Sequence, residues 1–472
     1  MANKFYITTP IYYINDIPHI GHAYTTVAAD IISRYYKQKL GDENVMLLTG
    51  TDEHGAKIAA AAKEIGVEPK EFADSIVPKF ESAWESLNIN YSHFFRTTDP
   101  RHEKLVQEIL QKIYDKGLIY EGIYEGLYCV GCEKFLTESD LVDGKCPLHP
   151  NKTPVHQKEK NYFFKLSSFE KDLISIFEND EVKILPKSKK NEILGKLKEG
   201  LNDIAISREE VSWGIPIPWD EKQTVYVWVE ALFNYYTATR FLNKESFWPA
   251  DVHFIGKDIL WFHTVIWCAL LKAAEIELPK SVFAHGFFTI NGTKMSKSLG
   301  NSIFPEDLIE KFGVDATRYL LVSQFPFGQD GDFSIDKLTE SYNANLANGL
   351  GNLIARVAKL SENSDLEFET IDDLNEIYKS EQEKLIEEYG FDLVLQDIWT
   401  NDVSAIDKHV DQNQPWTIKD KDKLKEVLQE EINLIRRLAP KLKPFMPEVS
   451  EKIENQFKRP KIKSEAPLFP RI

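Results

Sequence analysis

The chain reads as an α/β protein whose parallel sheet is interrupted by an inserted module and followed by an all-helical region. Three observations predict this. Short β-rich apolar runs alternate with helical patterns near the start of the chain and again after Trp219. A Cys/His segment with glycine-punctuated flanks separates those two stretches. Beyond about Ser334, apolar residues recur only at helical spacing.

Taken in order, Phe5–Tyr13 is apolar and β-rich, and a helical pattern runs from Gly21 to Gly41. Asn44–Leu48 is a second apolar run ending at Gly50, and Pro69–Leu87 and Pro100–Lys116 are helical, the latter stopped by Gly117. Tyr120–Tyr128 alternates with glycines like a hairpin, a strand is expected near Tyr162–Leu166, and Asn191–Leu201 reads as a helix. The sheet then resumes with strands at Thr224–Val229, Val252–Ile255 and Ser281–Phe288, with an apolar helix from Ile259. Leu346, Leu350, Leu353, Ile354 and Val357 open the helical region. Asp373–Tyr389, Asp392–Val410 and Lys421–Leu438 continue it, until Pro440, Pro444 and Pro447 break it. The predicted division is residues 1–117 and 223–333 for the two halves of the sheet domain, 118–222 for the insertion and 334–472 for a helical bundle.

At 472 residues, three domains are expected and a large core needs no covalent staples. The 74 acidic against 57 basic residues give a net charge of -17, which argues against a general DNA coater or an anionic-membrane binder. It leaves room for a local basic face. There are four cysteines, and three of them cluster, so metal ligation is favoured over disulfides. No leader or spanning segment is evident; the apolar stretch Ile259–Ala274 holds His263 and Lys272 and is too short for a bilayer. A soluble, cytoplasmic protein is expected.

Two short motifs carry the chemistry. Pro18-His19-Ile20-Gly21-His22 lies between the first strand and first helix. Gly21 permits close backbone approach, the helix start favours phosphate, and His19 and His22, three apart, share a helical face. Alone, such a pair is more often two surface histidines near a turn. Lys294-Met295-Ser296-Lys297-Ser298 sits between glycines after the last strand of the sheet, and its ammonium groups could clamp a leaving pyrophosphate. Alone, it would be a solvated basic loop. Together, at opposite ends of an α/β pattern, these motifs resemble the HIGH and KMSKS signatures of class I aminoacyl-tRNA synthetases.

Within that class the chain resembles the methionyl-tRNA synthetases along its whole length. Thr49-Gly50-Thr51-Asp52-Glu53-His54-Gly55 follows the second strand. The resemblance implies that Asp52 holds the substrate ammonium, as a carboxylate at a strand end can. Ala205-Ile206-Ser207-Arg208 resembles an element whose arginine, here Arg208, would pair with Asp52. Ile11, Tyr13, Trp228, Tyr235, Phe262, His263 and Trp267 match the methionine pocket, with Tyr235 or His263 as a weak donor to sulfur. Ile204 stands where some members carry tryptophan. Gly256 and Asp258 would meet adenosine and ribose.

Cys129-x-x-Cys132 and Cys146-x-x-His149 form a closed set for one structural Zn²⁺, with Cys268 left as a core residue. The resemblance further implies Asn352, Arg356 and Trp416 as anticodon contacts in the helical bundle. It implies a Rossmann-type sheet split by a zinc-bearing connective insertion, followed by an anticodon-binding bundle. ATP with Mg²⁺, L-methionine and methionine tRNA, the initiator included, would be the partners. The chain ends soon after the bundle at Ile472, so a monomer is expected. Two rivals are a class I synthetase for another amino acid and a catalytically silent tRNA binder. The intact Asp52 motif opposes the first, and His19, His22, Lys294 and Lys297 oppose the second.

Overall fold

Near-continuous apolar strands can be buried only between two layers of helix, and the first strand shows how this chain does it. In the computed structural model, β1 (Phe5–Tyr13) buries alternate residues in opposite cores: Phe5 and Ile7 face one, Tyr6 the other. The structure describes residues 3–15, 17–129, 134–136, 141–147, 153–295, 302–370 and 377–472, with backbone alone at 124, 134, 135 and 294. After β1 come α1 (Ile20–Leu40), β2 (Val45–Asp52), α2 (Ala56–Ile65), α3 (Pro69–Ser86), β3 (His93–Arg96) and α4 (Pro100–Asp115). The boundaries of β1 and α1 fall where the pattern placed them. The strand β3 and helix α2 were not foreseen.

The insertion corrects one expectation. Tyr120–Tyr128 is not itself a hairpin but part of a single strand, β4 (Ile119–Cys129), which pairs antiparallel with β5 (Lys134–Leu136) and with β6 (Val155–Phe164), the latter from Ile119↔Phe164 to Tyr128↔Val155. Its Gly122 is a docking point rather than a turn. A Cβ on Gly122 would stand 3.1 Å from the Phe163 ring. Next come α5 (Glu170–Glu178), β7 (Lys183–Leu185), α6 (Lys187–Leu197), β8 (Ile204–Ala205), β9 (Ser207–Arg208), β10 (Pro216–Ile217) and β11 (Asp220–Val225). Although it lies inside 118–222, β7 pairs with the main sheet and forms its outer strand.

A second correction concerns Thr224–Val229. The strand stops at Val225, and α7 (Val227–Leu232) begins with Val229 N–H donating to the Tyr226 carbonyl at 2.8 Å. Tertiary packing overrides β propensity there: Trp228 turns to stack on Phe262, ring centres 4.2 Å apart. β11 pairs with β9 and β10 and lies outside the main sheet. Then follow α8 (Asn234–Phe241), β12 (Val252–Gly256), α9 (Trp267–Ala274) and β13 (Ser281–His285). The run to Phe288 is also divided. β14 (Phe288–Ile290) joins β15 (Thr293–Lys294) and, beyond α10 (Pro305–Phe312) and α11 (Val314–Ser323), β16 (Gly331–Phe333) in a small separate sheet.

The main sheet has the order β3-β2-β1-β12-β13-β7, all parallel. Chain order reverses direction at β1 and β12, so a crevice is expected at the carboxyl ends of these strands. The helical region holds α12 (Ile335–Ser341), α13 (Asn352–Ser364), α14 (Ser380–Glu387), α15 (Phe391–Ile398), α16 (Ser404–Asn413), α17 (Lys421–Leu442) and α18 (Pro447–Phe457). Two wider π turns, 342–351 and 399–403, interrupt its α-helices. Leu346, Leu350, Leu353, Ile354 and Val357 are all buried as expected. Pro440 does not break α17 but lies buried within it, between Ala439 and Lys441. No described helix is long and apolar enough to cross a membrane.

The bundle is bolted to the sheet domain by buried polar bonds. Arg318 on α11, fully buried, donates to Asp30 on α1 at 2.6 Å, to the Leu87 carbonyl at 3.0 Å, and to the Pro444 and Phe445 carbonyls at 2.9 and 3.0 Å. Arg34 and the Asn90 N–H complete the shell of Asp30. Removing one partner leaves a buried charge unmatched, at a cost of about 3–5 kcal/mol. Arg318→Leu is therefore expected to lower the urea midpoint by that equivalent. A shift below about 1 kcal/mol would show that the knot contributes little.

Candidate active site

Strand ends at the switch point gather the predicted residues. Tyr13 and Asp52 are register partners at the ends of β1 and β2, Ile11 pairs with Gly50, and Gly256 closes β12. Asp52 is 9% exposed and within electrostatic reach of Tyr235 and His54. Asp258, just past Gly256, is exposed, and its Oδ1 would stand 2.6 Å from a Cβ placed on Gly256.

His19 is the N-cap of α1 rather than a member of its helical face. Its Nδ1 accepts from the Gly21 N–H at 3.1 Å, and Nδ1 of His22 accepts from the His19 N–H at 3.2 Å. The rings stack with centres 3.9 Å apart. Because each Nδ1 is an acceptor, the proton of each neutral ring sits on Nε2. Burial, and then the neighbouring His19, hold His22 well below the usual histidine range. Tyr12 supports the pair, with its ring 4.8 Å from His22 and its hydroxyl bonded to Thr26 in the second turn of the helix.

The two motifs, some 270 residues apart in the chain, meet here. The methyl of Met295 would lie 3.7 Å from a Cβ on Gly21, and Ile20 N–H donates to the Ile303 carbonyl at 3.0 Å. Any side chain at Gly21 would also strike the His19 ring at 2.8 Å. The backbone of Lys294 lies in β15, paired with Thr289. Its side chain, and Lys297 altogether, lie outside the described residues. A cleft of about 340 Å³ opens beside Pro18, bordered by Lys79, Ser82 and Glu306.

Aromatic residues gather as predicted, but their hydrogen bonds correct one expectation. Nδ1 of His263 faces the Ile259 carbonyl at 3.0 Å and must donate to it, so its Nε2 accepts from the Tyr235 hydroxyl at 2.8 Å. The one hydroxyl proton of Tyr235 is therefore committed to His263. Neither group has a proton left over for a thioether while this chain of bonds persists. Burial pushes His263 down to about 4, so it is neutral. Trp267 is fully buried behind Tyr235, with Nε1 3.4 Å from Nε2 of His253. Arg208 ion-pairs with Glu159 at 3.1 Å and donates to the Tyr128 hydroxyl at 2.6 Å.

The rest of the Asp52 motif carries partners that sequence reasoning missed. Glu53, fully buried, receives Arg96 through two bonds of 2.7 and 2.8 Å, along with Thr51 and Thr98. His54 bonds Glu230 at 2.9 Å, and His102 bonds the other carboxylate oxygen at 3.1 Å. Burial opposes charge on His54, but Glu230, Glu103 and Asp52 outweigh it and raise the imidazole to about 10. Glu53 and His54 adjoin Asp52 in the motif, which was the available signal. Glu230 likewise lies two residues after Trp228, whereas nothing local marks His102.

Away from this crevice, Cys129 and Cys146 are buried together with Leu136, Cys129 opposite Lys134 where β4 pairs with β5, and Cys146 just after the Val142–Lys145 bridge. Cys132 and His149 lie outside the described residues. Among the described residues no set of three ligating side chains is assembled. Cys268 is a fully buried core residue, its thiol pushed up to about 12 by burial. On α13, Asn352 and Arg356 share an outward face, and the Arg356 guanidinium lies 5.0 Å from the Trp416 ring. Trp416 is 53% exposed, so it is not an interhelical plug.

Residues 5–152 and 149–358 match the family model described as tRNA synthetases class I (M). A methionine–tRNA ligase of Caldanaerobacter subterraneus subsp. tengcongensis is 44% identical over 97% of this chain and 74% of its own length. One from Streptomyces coelicolor is 40% identical over 96% and 89%. The Mycobacterium tuberculosis methionyl-tRNA synthetase in complex with methionyl-adenylate superposes with a TM-score of 0.91 at 33% identity, covering 99% of this chain and 100% of that one. Its apo form gives 0.83.

The raised imidazole of His54 has a consequence for pH. Its folded value of about 10 lies above the ordinary 6.5, so the stability it contributes is complete below pH 6.5 and lost as pH climbs towards 10. Urea midpoints measured across that window should fall in the native chain and fall less in His54→Gln. Parallel curves would refute the assignment.

Proposed function

The chain belongs to the methionyl-tRNA synthetases of class I, and we propose from that membership and from the crevice geometry how its residues share the work. It ligates L-methionine to tRNA through methionyl-adenylate. The methionine carboxylate attacks the α-phosphate of ATP and pyrophosphate leaves. The 2′-hydroxyl of the terminal tRNA ribose then takes the methionyl group and AMP leaves.

The observation that carries the assignment of roles is the approach of Met295 to Gly21, between the stacked His19 and His22 in sequence, with the Tyr13–Asp52 pair at the neighbouring strand ends. Neutral Nε2–H groups at a helix start suit phosphoryl oxygens that gain charge in the transition state. Lys294 and Lys297 flank Met295 in sequence and would bind the triphosphate. Asp52 would hold the methionine ammonium. Ile11, Tyr13, Trp228, Phe262 and the Tyr235–His263 pair would enclose its side chain, and Trp267 would back them. With the Tyr235 and His263 protons committed, selectivity for the thioether would rest on shape and aromatic contact. Gly256 would admit adenosine and Asp258 the ribose hydroxyls. Mg²⁺ accompanies ATP and neutralises part of the triphosphate charge.

The buried pair Cys129 and Cys146 suits a closed tetrahedral site that Cys132 and His149 would complete. One structural Zn²⁺ there would hold the tip of the insertion together. Asn352, Arg356 and the exposed Trp416 would read the anticodon, the indole by stacking.

Methionine-dependent exchange of labelled pyrophosphate into ATP tests the reaction. Exchange driven by another amino acid instead would overturn the specificity. Trp416→Ala should reduce tRNA charging at least about fivefold, since stacking one base contributes about 1–3 kcal/mol, and leave exchange within twofold. Equal loss in both assays would mark Trp416 as structural. Elemental analysis should find about one zinc per chain, lost in Cys146→Ser.

A further inference from the structure

The crevice has two halves on different elements, and a buried charged network spans them. Asp52, at the end of β2, lies two residues before His54. Trp228, on α7, lies two residues before Glu230. The 2.9 Å bond between His54 Nδ1 and a Glu230 oxygen is thus a strut between the strand end and the helix. Behind it, His102 on α4 takes the second Glu230 oxygen at 3.1 Å and bonds Thr237 on α8 at 2.8 Å. The exposures of His54, Glu230, His102 and Thr237 are 2%, 0%, 0% and 0%. At the outer end, Glu103 approaches His54 Nε2 at 3.6 Å. Trp213 closes the other flank: its indole donates to the Glu53 carbonyl at 2.6 Å, its carbonyl accepts from Gly55, and its ring lies 5.2 Å from His54.

We propose that His54, Glu230 and His102 are positioning residues that set the spacing between the ammonium site and the side-chain pocket, and so determine amino-acid affinity and selectivity. This rests on the reading of Asp52 and Trp228 as methionine contacts. The network need not touch methionine. A polar tie this well buried costs much to leave half-made, so it persists only in a narrow geometry. A bond of fixed length between two substrate-facing elements makes their separation a property of the protein before methionine arrives. His54 is faced by Glu230, Glu103, Asp52 and, across Glu230, His102, so the strut is an ion pair ringed by acids.

The test is steady-state pyrophosphate exchange and calorimetric titration of methionine alone, on the full chain and three variants. Glu230→Gln removes the charge at nearly constant shape. It should raise the KM and Kd for methionine at least tenfold, leave the KM for ATP within twofold, and narrow the preference for methionine over leucine. Thr237→Val, a milder change that keeps the fold if Glu230→Gln does not, should shift the methionine KM in the same direction by about threefold, as expected for one hydrogen bond. A merely structural role would lower the melting temperature and move both KM values together, and that outcome overturns the proposal. Asp52→Asn separates the two levels. If it leaves methionine binding intact, the underlying reading of Asp52 fails. If it abolishes binding while folded Glu230→Gln or Thr237→Val binds methionine normally, the positioning role alone fails.

Discussion

The Asp30–Arg318 ion pair is the constraint on which the relation between sheet and bundle depends. A guanidinium withdrawn from water must have nearly all its donors met. Arg318 meets them only where α1, the turn after α3 and the Pro444–Phe445 turn converge. The helix that carries Asp30 is also the one whose first turn presents His19 and His22. The middle of α1 is thus fixed by a buried charge while its N-terminal end carries the stacked imidazoles. Displacing the bundle would strain the same rod that carries the His19–His22 pair.

The two halves of the crevice follow the same logic at smaller scale. Each group that would meet substrate is held by a neighbour that does not. Tyr12 carries the stacked histidines, Glu53 and Arg96 lock the strand end at Asp52, and His253 and Trp267 lie behind Tyr235. Some of these supports are neutral and others are charged. The His263 and His285 rings, both lowered to about 4 by burial, belong to the first kind. The His54–Glu230 pair belongs to the second.

Long, strongly patterned elements such as β1, α1, α3 and α4 were legible to within a residue or two. β3, four residues long, carries too little periodicity to detect, and the alanine-rich α2 follows directly on a motif that drew attention elsewhere. Tyr226–Val229 misled because a short β-branched and aromatic run is the same string whether it extends a strand or opens a helix. Only contact with Phe262 decides. The chemistry-bearing residues were readable because they sit in contiguous motifs. Their supports were not, since Glu230 lies 176 residues from His54 and 128 from His102, and only the folded topology brings them together.

The outer strand β7 gives the insertion an unexpected architectural status. It lies within 118–222 yet hydrogen-bonds to β13 at Ser281–Phe283. It caps an edge that would otherwise offer unpaired backbone groups to another chain. The segment that looks like a decoration on the catalytic sheet is therefore sewn into it. A minimal version of this protein could not be made by cutting at the apparent domain borders, because trimming would expose an adhesive edge.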